Sequence, residues 1–153
     1  MKLNKIKLIV YDFDGVMTNN KAYIDMNGNE FVQISRADGL GVSEIKKQSI
    51  NQIILSSEKN KVVQSRAKKL GIECIHGVDD KKDVLIKYCT NNKIDINSVA
   101  YVGNDINDEE VMKIVGYTFC PSDSHKRIKK IAQHVLISKG GDGVAREILD
   151  LIS

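Results

Sequence analysis

Two carboxylates two residues apart, Asp12 and Asp14 in the run KLIVYDFDGVMT, are the pair in this sequence best placed to do chemistry. Leu8 to Tyr11 before them reads as a strand buried on both faces, and such a strand delivers the residues after it to the carboxyl edge of a sheet, where open α/β folds keep their ligands. Residues two apart on a strand point the same way, and Gly15 lets the chain leave the strand between the acids, aiming both into one crevice. Acids that close repel unless a cation lies between them. The donors on offer are oxygens, which points to a divalent metal of the magnesium kind. Asp-x-Asp-Gly also occurs in ordinary loops, where Asp caps turns, so the pair needs support from elsewhere.

Three more places supply it. Ser56 stands where an apolar strand stops and a helix begins; its hydroxyl either caps the turn or, with free amides at the helix start, holds an oxyanion. Lys81 opens a helix, where the macrodipole disfavours a cation, and a lysine there makes sense if it neutralises a carboxylate and a phosphate. Its neighbour Lys82 reads as a solvated surface residue. Gly103 to Asp108, GNDIND, crowds amides and acids into a strand-to-helix turn. Asn107 or Asp108 suits an N-cap, and Asn104 or Asp105 suits a place in the metal's oxygen shell. The three histidines, His76, His125 and His134, lack metal-ligand spacing, and the three cysteines, Cys74, Cys89 and Cys120, are far apart with no CxxC pair, as in a reduced cytoplasmic protein.

For these residues to meet, strands and helices must alternate. Strands are expected at Ile50 to Leu55, Cys74 to Ile75, Val99 to Val102, Tyr117 to Cys120 and His134 to Ile137. Helices are expected at Asp38 to Gln48, Lys61 to Leu70 with Asn60 as cap and Gly71 as stop, Lys81 to Asn91, Glu109 to Val115, Ser124 to Ile131 and Val144 to Ile152. That rhythm means an α/β fold, a doubly wound parallel sheet with helices on both faces. One segment breaks it: Lys21 to Ser35 holds two alternating runs around Asn27-Gly28, the signal for a β-hairpin inserted after the first strand. A lone hairpin is marginal in water, so it is expected to pack on another subunit. The 153 residues fit one domain, 1–153, without disulfide staples. A net charge of +3 with scattered lysines does not suggest nucleic acid or membrane binding, no apolar run approaches a membrane span, and a mild positive field suits an anionic small molecule.

An acid pair, a hydroxyl, a lysine and an acidic loop, in that order on successive strands, resemble the haloacid dehalogenase superfamily of phosphotransferases: DFDGV matches its first motif, Ser56 its second, Lys81 its third and GNDIND its fourth. Within it the chain resembles the cap-less branch of 3-deoxy-manno-octulosonate 8-phosphate and 2-keto-3-deoxynononate 9-phosphate phosphatases. The features carrying this are the hairpin after the first motif, DGLG at Asp38 to Gly41, YVGND at Tyr101 to Asp105 and KGGDGVARE at Lys139 to Glu147. The resemblance implies a magnesium-dependent phosphatase of sugar-acid phosphates, with no cap domain and four subunits interlocked through their hairpins. It implies Asp12 as nucleophile, Asp14 as general acid and base, Ser56 and Lys81 on the transferring oxygens, and metal ligation by Asp12, Asp14 and Asn104 or Asp105. Octulosonate phosphatases have Gly-Arg where this chain has Ser57 and Glu58, and the SSEKN pattern is closer to the nononate branch. Substrate selection is therefore expected from Ser57, Glu58, Arg66 and Lys69, and from Lys139 or Arg146 of a neighbour. The alternatives are the octulosonate activity, or a non-catalytic module that only builds a tetramer.

Overall fold

In the computed structural model, which describes residues 3–153, six parallel strands form one sheet in the order β5-β4-β1-β6-β7-β8. They are β1 (Leu8–Tyr11), β4 (Asn51–Leu55), β5 (Glu73–Ile75), β6 (Val99–Val102), β7 (Tyr117–Cys120) and β8 (His134–Val135). β1 is central, flanked by β4 on one side and β6 on the other. The chain thus winds outward in both directions from β1, and the crevice at that switch point lies beyond the carboxyl ends of β1, β4 and β6.

Alternation along the strands builds two cores. Ile9 and Tyr11 of β1, Ile54 of β4 and Ala100 and Val102 of β6 face one layer, with Val42, Ile45, Val63, Ala67, Ile148 and Leu149. These come from helices α1 (Arg36–Lys47), α2 (Val62–Leu70) and α6 (Val144–Ile152). Leu8, Val10, Ile53, Leu55, Val99 and Tyr101 face the other, with Leu85, Val111, Met112 and Ile128. Those belong to α3 (Lys81–Asn92), α4 (Glu109–Met112) and α5 (Lys126–Ile131). All four β1 side chains are fully buried, each worth roughly 1.5–3 kcal/mol of transfer free energy if apolar. Disturbing this strand is costly, and the acids follow it directly. Cys89 and Cys120 are buried free thiols and Cys74 is a half-buried one.

The hairpin is present as β2 (Thr18–Ile24) and β3 (Glu30–Ile34), antiparallel and separate from the main sheet. It starts three residues earlier than the alternation indicates. Thr18 pairs with Ile34, and the register shift before Ala22 is absorbed at Asn20, with φ 63°. Its turn is held by the Asp25 carboxylate, which accepts from the Asn27 and Asn29 amides, while Gly28 alone takes a left-handed φ. α1 begins at Arg36 rather than Asp38 because Ser35 caps it by accepting from Ala37 N. Leu40 of α1 is half exposed. α4 stops at Met112, short of Val115, as the chain turns so that Gly116 can lie against the Asn97 backbone, where a Cβ would collide. Among the described residues no helix is long and apolar enough to cross a membrane.

Candidate active site

Beyond β1 the chain makes one wide turn, Phe13–Met17, closed by Thr18 N donating to the Phe13 carbonyl. Asp12 begins it, its Oδ1 accepting from Phe13 N at 2.8 Å. Asp14 (φ −73°, ψ 120°) and Gly15 (φ 85°) leave helical geometry within the turn, which directs the Asp14 carbonyl toward Asn104. Position 15 needs glycine twice over: the left-handed φ disfavours a side chain, and a Cβ would overlap the Asn104 amide. Buried Thr18 steadies the loop, its hydroxyl oxygen accepting from Gly15 N and Asn20 N.

Lys81, 3% exposed, lies behind Asp12. Its Nζ is 2.8 Å from Asp12 Oδ1 and 2.8 Å from Asp108 Oδ1, and Tyr101 Oη donates to the same Asp108 oxygen at 2.7 Å. Asp108 Oδ2 accepts from Asn104 N at 2.8 Å and from Asp105 N at 3.3 Å. Asp108 therefore both caps the fourth-motif turn and holds Lys81; the sequence offered it only as a cap. Neither this role nor the Tyr101 hydroxyl was legible, because both depend on β6 and α3 meeting. Burial alone would lower the Lys81 pKa, but the charges of Asp12 and Asp108 outweigh it and hold the ammonium above its ordinary value. Burial, reinforced by Asp108, pushes Asp12 up to about 7 against the pull of Lys81. One cation facing two buried carboxylates leaves the site short of positive charge.

The Asn104 side chain locates where that charge belongs. Its amide lies beside the Asp14 carbonyl and Asp12 Oδ2: turned nitrogen first it donates to them at 2.9 and 3.0 Å, and turned oxygen first it adds a third oxygen at the same point. A carboxylate, a carbonyl and an amide oxygen converging on one spot are the donors a hard divalent cation takes, so magnesium fits. Among the described residues no group of three or more His, Cys, Asp or Glu is arranged to hold a metal. The Asp105 carboxylate lines the cleft but accepts from Ile106 N at 2.7 Å as a helix cap, so of the two fourth-motif residues Asn104 is the one beside the acids.

Asp12, Asp14, Ser56, Ser57, Glu58, Asn104 and Asp105 line one cleft of about 360 Å³. Asn20, Ile106 and Asn107 complete its wall, and none of the three is marked as a site residue by the sequence. Ser56 is buried at the end of β4, its Oγ accepting from Glu58 N at 3.1 Å, which leaves the hydroxyl proton for the cleft. Asp14 has a raised pKa, from burial first and then the charges of Glu58 and Glu30, opposed by Lys81 and a hydrogen bond from Thr18. Arg66 and Lys69 do not join it. Arg66 is buried and donates to the Ser35 carbonyl at 2.9 Å, facing Asp38, while Lys69 is exposed in the last turn of α2, away from the cleft. Neither is among the residues that line the cleft with Glu58 in this chain. Lys139 borders a separate depression beside Lys21 and Ser35, and Arg146 another beside Glu44 and Lys47.

Residues 1–148 match the family model described as haloacid dehalogenase-like hydrolase. A 3-deoxy-D-manno-octulosonate 8-phosphate phosphatase of Yersinia pestis is 32% identical over 96% of this chain and 79% of its own length. The enzyme of that name from Escherichia coli K12 is also 32% identical, over 99% of this chain and 81% of its length. Among solved structures, a HAD family hydrolase from Streptomyces avermitilis superposes with a TM-score of 0.96 at 39% identity, covering 99% of this chain and 93% of that one. The octulosonate phosphatase of Moraxella catarrhalis, solved with a magnesium ion, a phosphate ion and a KDO molecule, superposes with a TM-score of 0.94 at 28% identity, covering 99% and 87%. With the acids, hydroxyl, lysine and amide meeting at the carboxyl edge of a parallel sheet, and a family match over nearly its whole length, this chain belongs to the haloacid dehalogenase-like hydrolases.

Proposed function

We propose that the chain is a magnesium-dependent phosphomonoester hydrolase acting on a 2-keto-3-deoxy sugar-acid phosphate, by way of an aspartyl-phosphate on Asp12. The observation that carries this is the pair of carboxylates in one cleft with different partners. Burial raises the pKa of both, but Asp12 is ion-paired to buried Lys81 and accepts from the Phe13 amide, while Asp14 faces the charges of Glu58 and Glu30. One acid is set to attack and the other to carry a proton.

Asp12 Oδ2, the Asp14 carbonyl and Asn104 Oδ1 would hold the magnesium ion, which would supply charge against the phosphoryl oxygens and, with Lys81, favour the ionised form of Asp12. Asp12 forms the new O–P bond as the sugar O–P bond breaks, and Asp14 gives its proton to the departing sugar oxygen. Water then attacks the phosphorus, Asp14 takes its proton, and the Asp12 carboxylate and inorganic phosphate are freed. Ser56 donates to a phosphoryl oxygen, and Lys81 keeps Asp12 anionic and oriented.

The sugar-acid class is supported by the relatives, which are named for an eight-carbon substrate. We favour the nine-carbon 2-keto-3-deoxynononate 9-phosphate because Glu58 lines the cleft. A carboxylate there accepts from hydroxyls near the phosphate-bearing carbon and repels a second carboxylate, and a nine-carbon acid sets its own carboxylate one carbon further off. Exposed Lys69 could serve that group only from a second copy. The eight-carbon substrate is the second reading, favoured by the relatives' names. Initial rates of magnesium-dependent phosphate release from both substrates, measured side by side, decide: a higher kcat/KM for the nine-carbon ester is expected, and the reverse order would overturn the preference while keeping the class.

The hairpin presents Tyr23, Ile24, Met26 and Phe31 to solvent, with Met26 98% exposed. Such a cluster on a free-standing hairpin supports assembly into a homotetramer through it.

A further inference from the structure

The segment Lys139 to Glu147 contributes no side chain to the cleft, yet it is built against the loop that carries the acids. Gly140 lies so close to the Gly15 and Thr18 carbonyls that a Cβ would collide with both. Gly141, with φ 69°, donates its N–H to the Val16 carbonyl at 2.9 Å, and a Cβ there would fall 2.5 Å from Asn19 N. Both glycines therefore touch the backbone of the turn that directs the Asp14 carbonyl.

The same segment is anchored from two other sides. Gly140 N donates to Asp123 Oδ1 at 2.9 Å, and in the same loop His125 N donates to the Asn104 carbonyl at 2.8 Å. Glu147 accepts from Ile137 N and Ser138 N, each at 2.8 Å, which fixes the approach to the glycines. A closed circuit results: acid loop, glycine pair, Asp123 loop, Asn104, and back to the acid loop where Asn104 meets Asp14 and Asp12. Backbone contacts of this kind have no slack, because neither side has a rotamer to change.

We infer that Gly140 and Gly141, with Asp123, are positioning residues for the phosphatase site: they set the distance between the Asp14 carbonyl, Asn104 and Asp12, and so the metal geometry and the line of attack. This rests on the phosphatase reading and deepens it. A side chain at 140 pushes on the Gly15 carbonyl, and the displacement passes directly to the peptide next to Asp14.

The test compares Gly140→Ala with Gly116→Ala, whose Cβ would collide with the Asn97 backbone far from the cleft. Both should lower Tm. Only Gly140→Ala should weaken magnesium binding, read by calorimetry without substrate, and lower kcat per folded molecule by on the order of 10–100-fold, the scale of a sub-ångström to 1 Å misplacement, with KM little changed. Should Gly140→Ala not fold, exposed Asp123 decides: Asp123→Ala should weaken magnesium binding and lower kcat in the same sense, and Asp123→Asn, which keeps the acceptor for Gly140 N, should restore both. Folded Gly140→Ala with wild-type magnesium affinity and kcat would overturn the inference. So would equal losses in Gly140→Ala and Gly116→Ala, or an Asp123→Ala variant like wild type. The calorimetric arm stands even if the wild type hydrolyses no phosphate ester, so failure of the positioning role and failure of the phosphatase reading are told apart.

Discussion

At the residue scale, the division of labour between Asp12 and Asp14 is a matter of neighbours rather than of residue type. Glu58 is the informative one, because it touches the chemistry through charge. Burial first, and then the negative field of Glu58, raise the Asp14 pKa, so Asp14 keeps its proton to higher pH than an ordinary carboxyl. The leaving oxygen needs that proton, and activity should fall as pH rises through the Asp14 pKa. Glu58→Gln removes the field and lowers that pKa, so the alkaline limb of the kcat/KM profile should move to lower pH; a limb that stays put or moves up would contradict the assignment. Much of this was legible from sequence, since Asp12, Asp14 and Gly15 lie within four residues directly after β1, and the turn there fixes their relation. Asp108, Tyr101 and Asn20 were not: each enters through a contact between distant elements, and Asp108 satisfies its helix-cap pattern so well that its bond to Lys81 leaves no separate mark. Arg66 lies outside the cleft of its own chain, and which way its helix faces is not written in the local sequence.

At the scale of elements, the parallel sheet was legible because each strand is a short apolar run between turn residues, and β6 and β7 have the bounds expected. Boundaries failed where side-chain caps override composition, as with Ser35 at α1 and Asp25 in the hairpin turn. The DGLG segment lies in the expected helix α1, and its purpose appears only in packing. A Cβ on Gly41 would fall 2.6 Å from Arg146 N, and the buried Asp38 carboxylate accepts from Ala145 N at 2.7 Å, capping α6 from another helix. α1 and α6 thus touch backbone to backbone, and the contact has no room to give. Gly41→Ala should destabilise the fold by about 1–3 kcal/mol through overpacking, visible as a lower denaturation midpoint with an unchanged m-value. No loss of stability would mean the two helices can separate freely.

At the scale of the whole molecule, the cleft is open and, among the described residues, no second layer closes it; in the proposed assembly a copy packed on the hairpin would help exclude water and recognise the sugar. Phe31, 60% exposed on β3, sits in the apolar cluster proposed to join subunits. Phe31→Asp should shift sedimentation from four chains to fewer and lower kcat/KM for the sugar-acid phosphate more than for a small aryl phosphate, and an unchanged sedimentation coefficient would place the interface elsewhere. The central claim, a covalent phosphoryl-enzyme on Asp12, has a more direct test. Asp14→Asn cannot protonate a sugar oxygen or activate water, but a nitrophenyl leaving group departs without an acid. Asp14→Asn mixed with nitrophenyl phosphate and magnesium should release a burst of nitrophenolate equal to the enzyme and stall, with acid-quenched peptides carrying phosphate on Asp12. Steady release without a burst, or a phosphate-free Asp12 peptide after the burst, would show that water attacks the ester directly and that Asp12 only holds the metal.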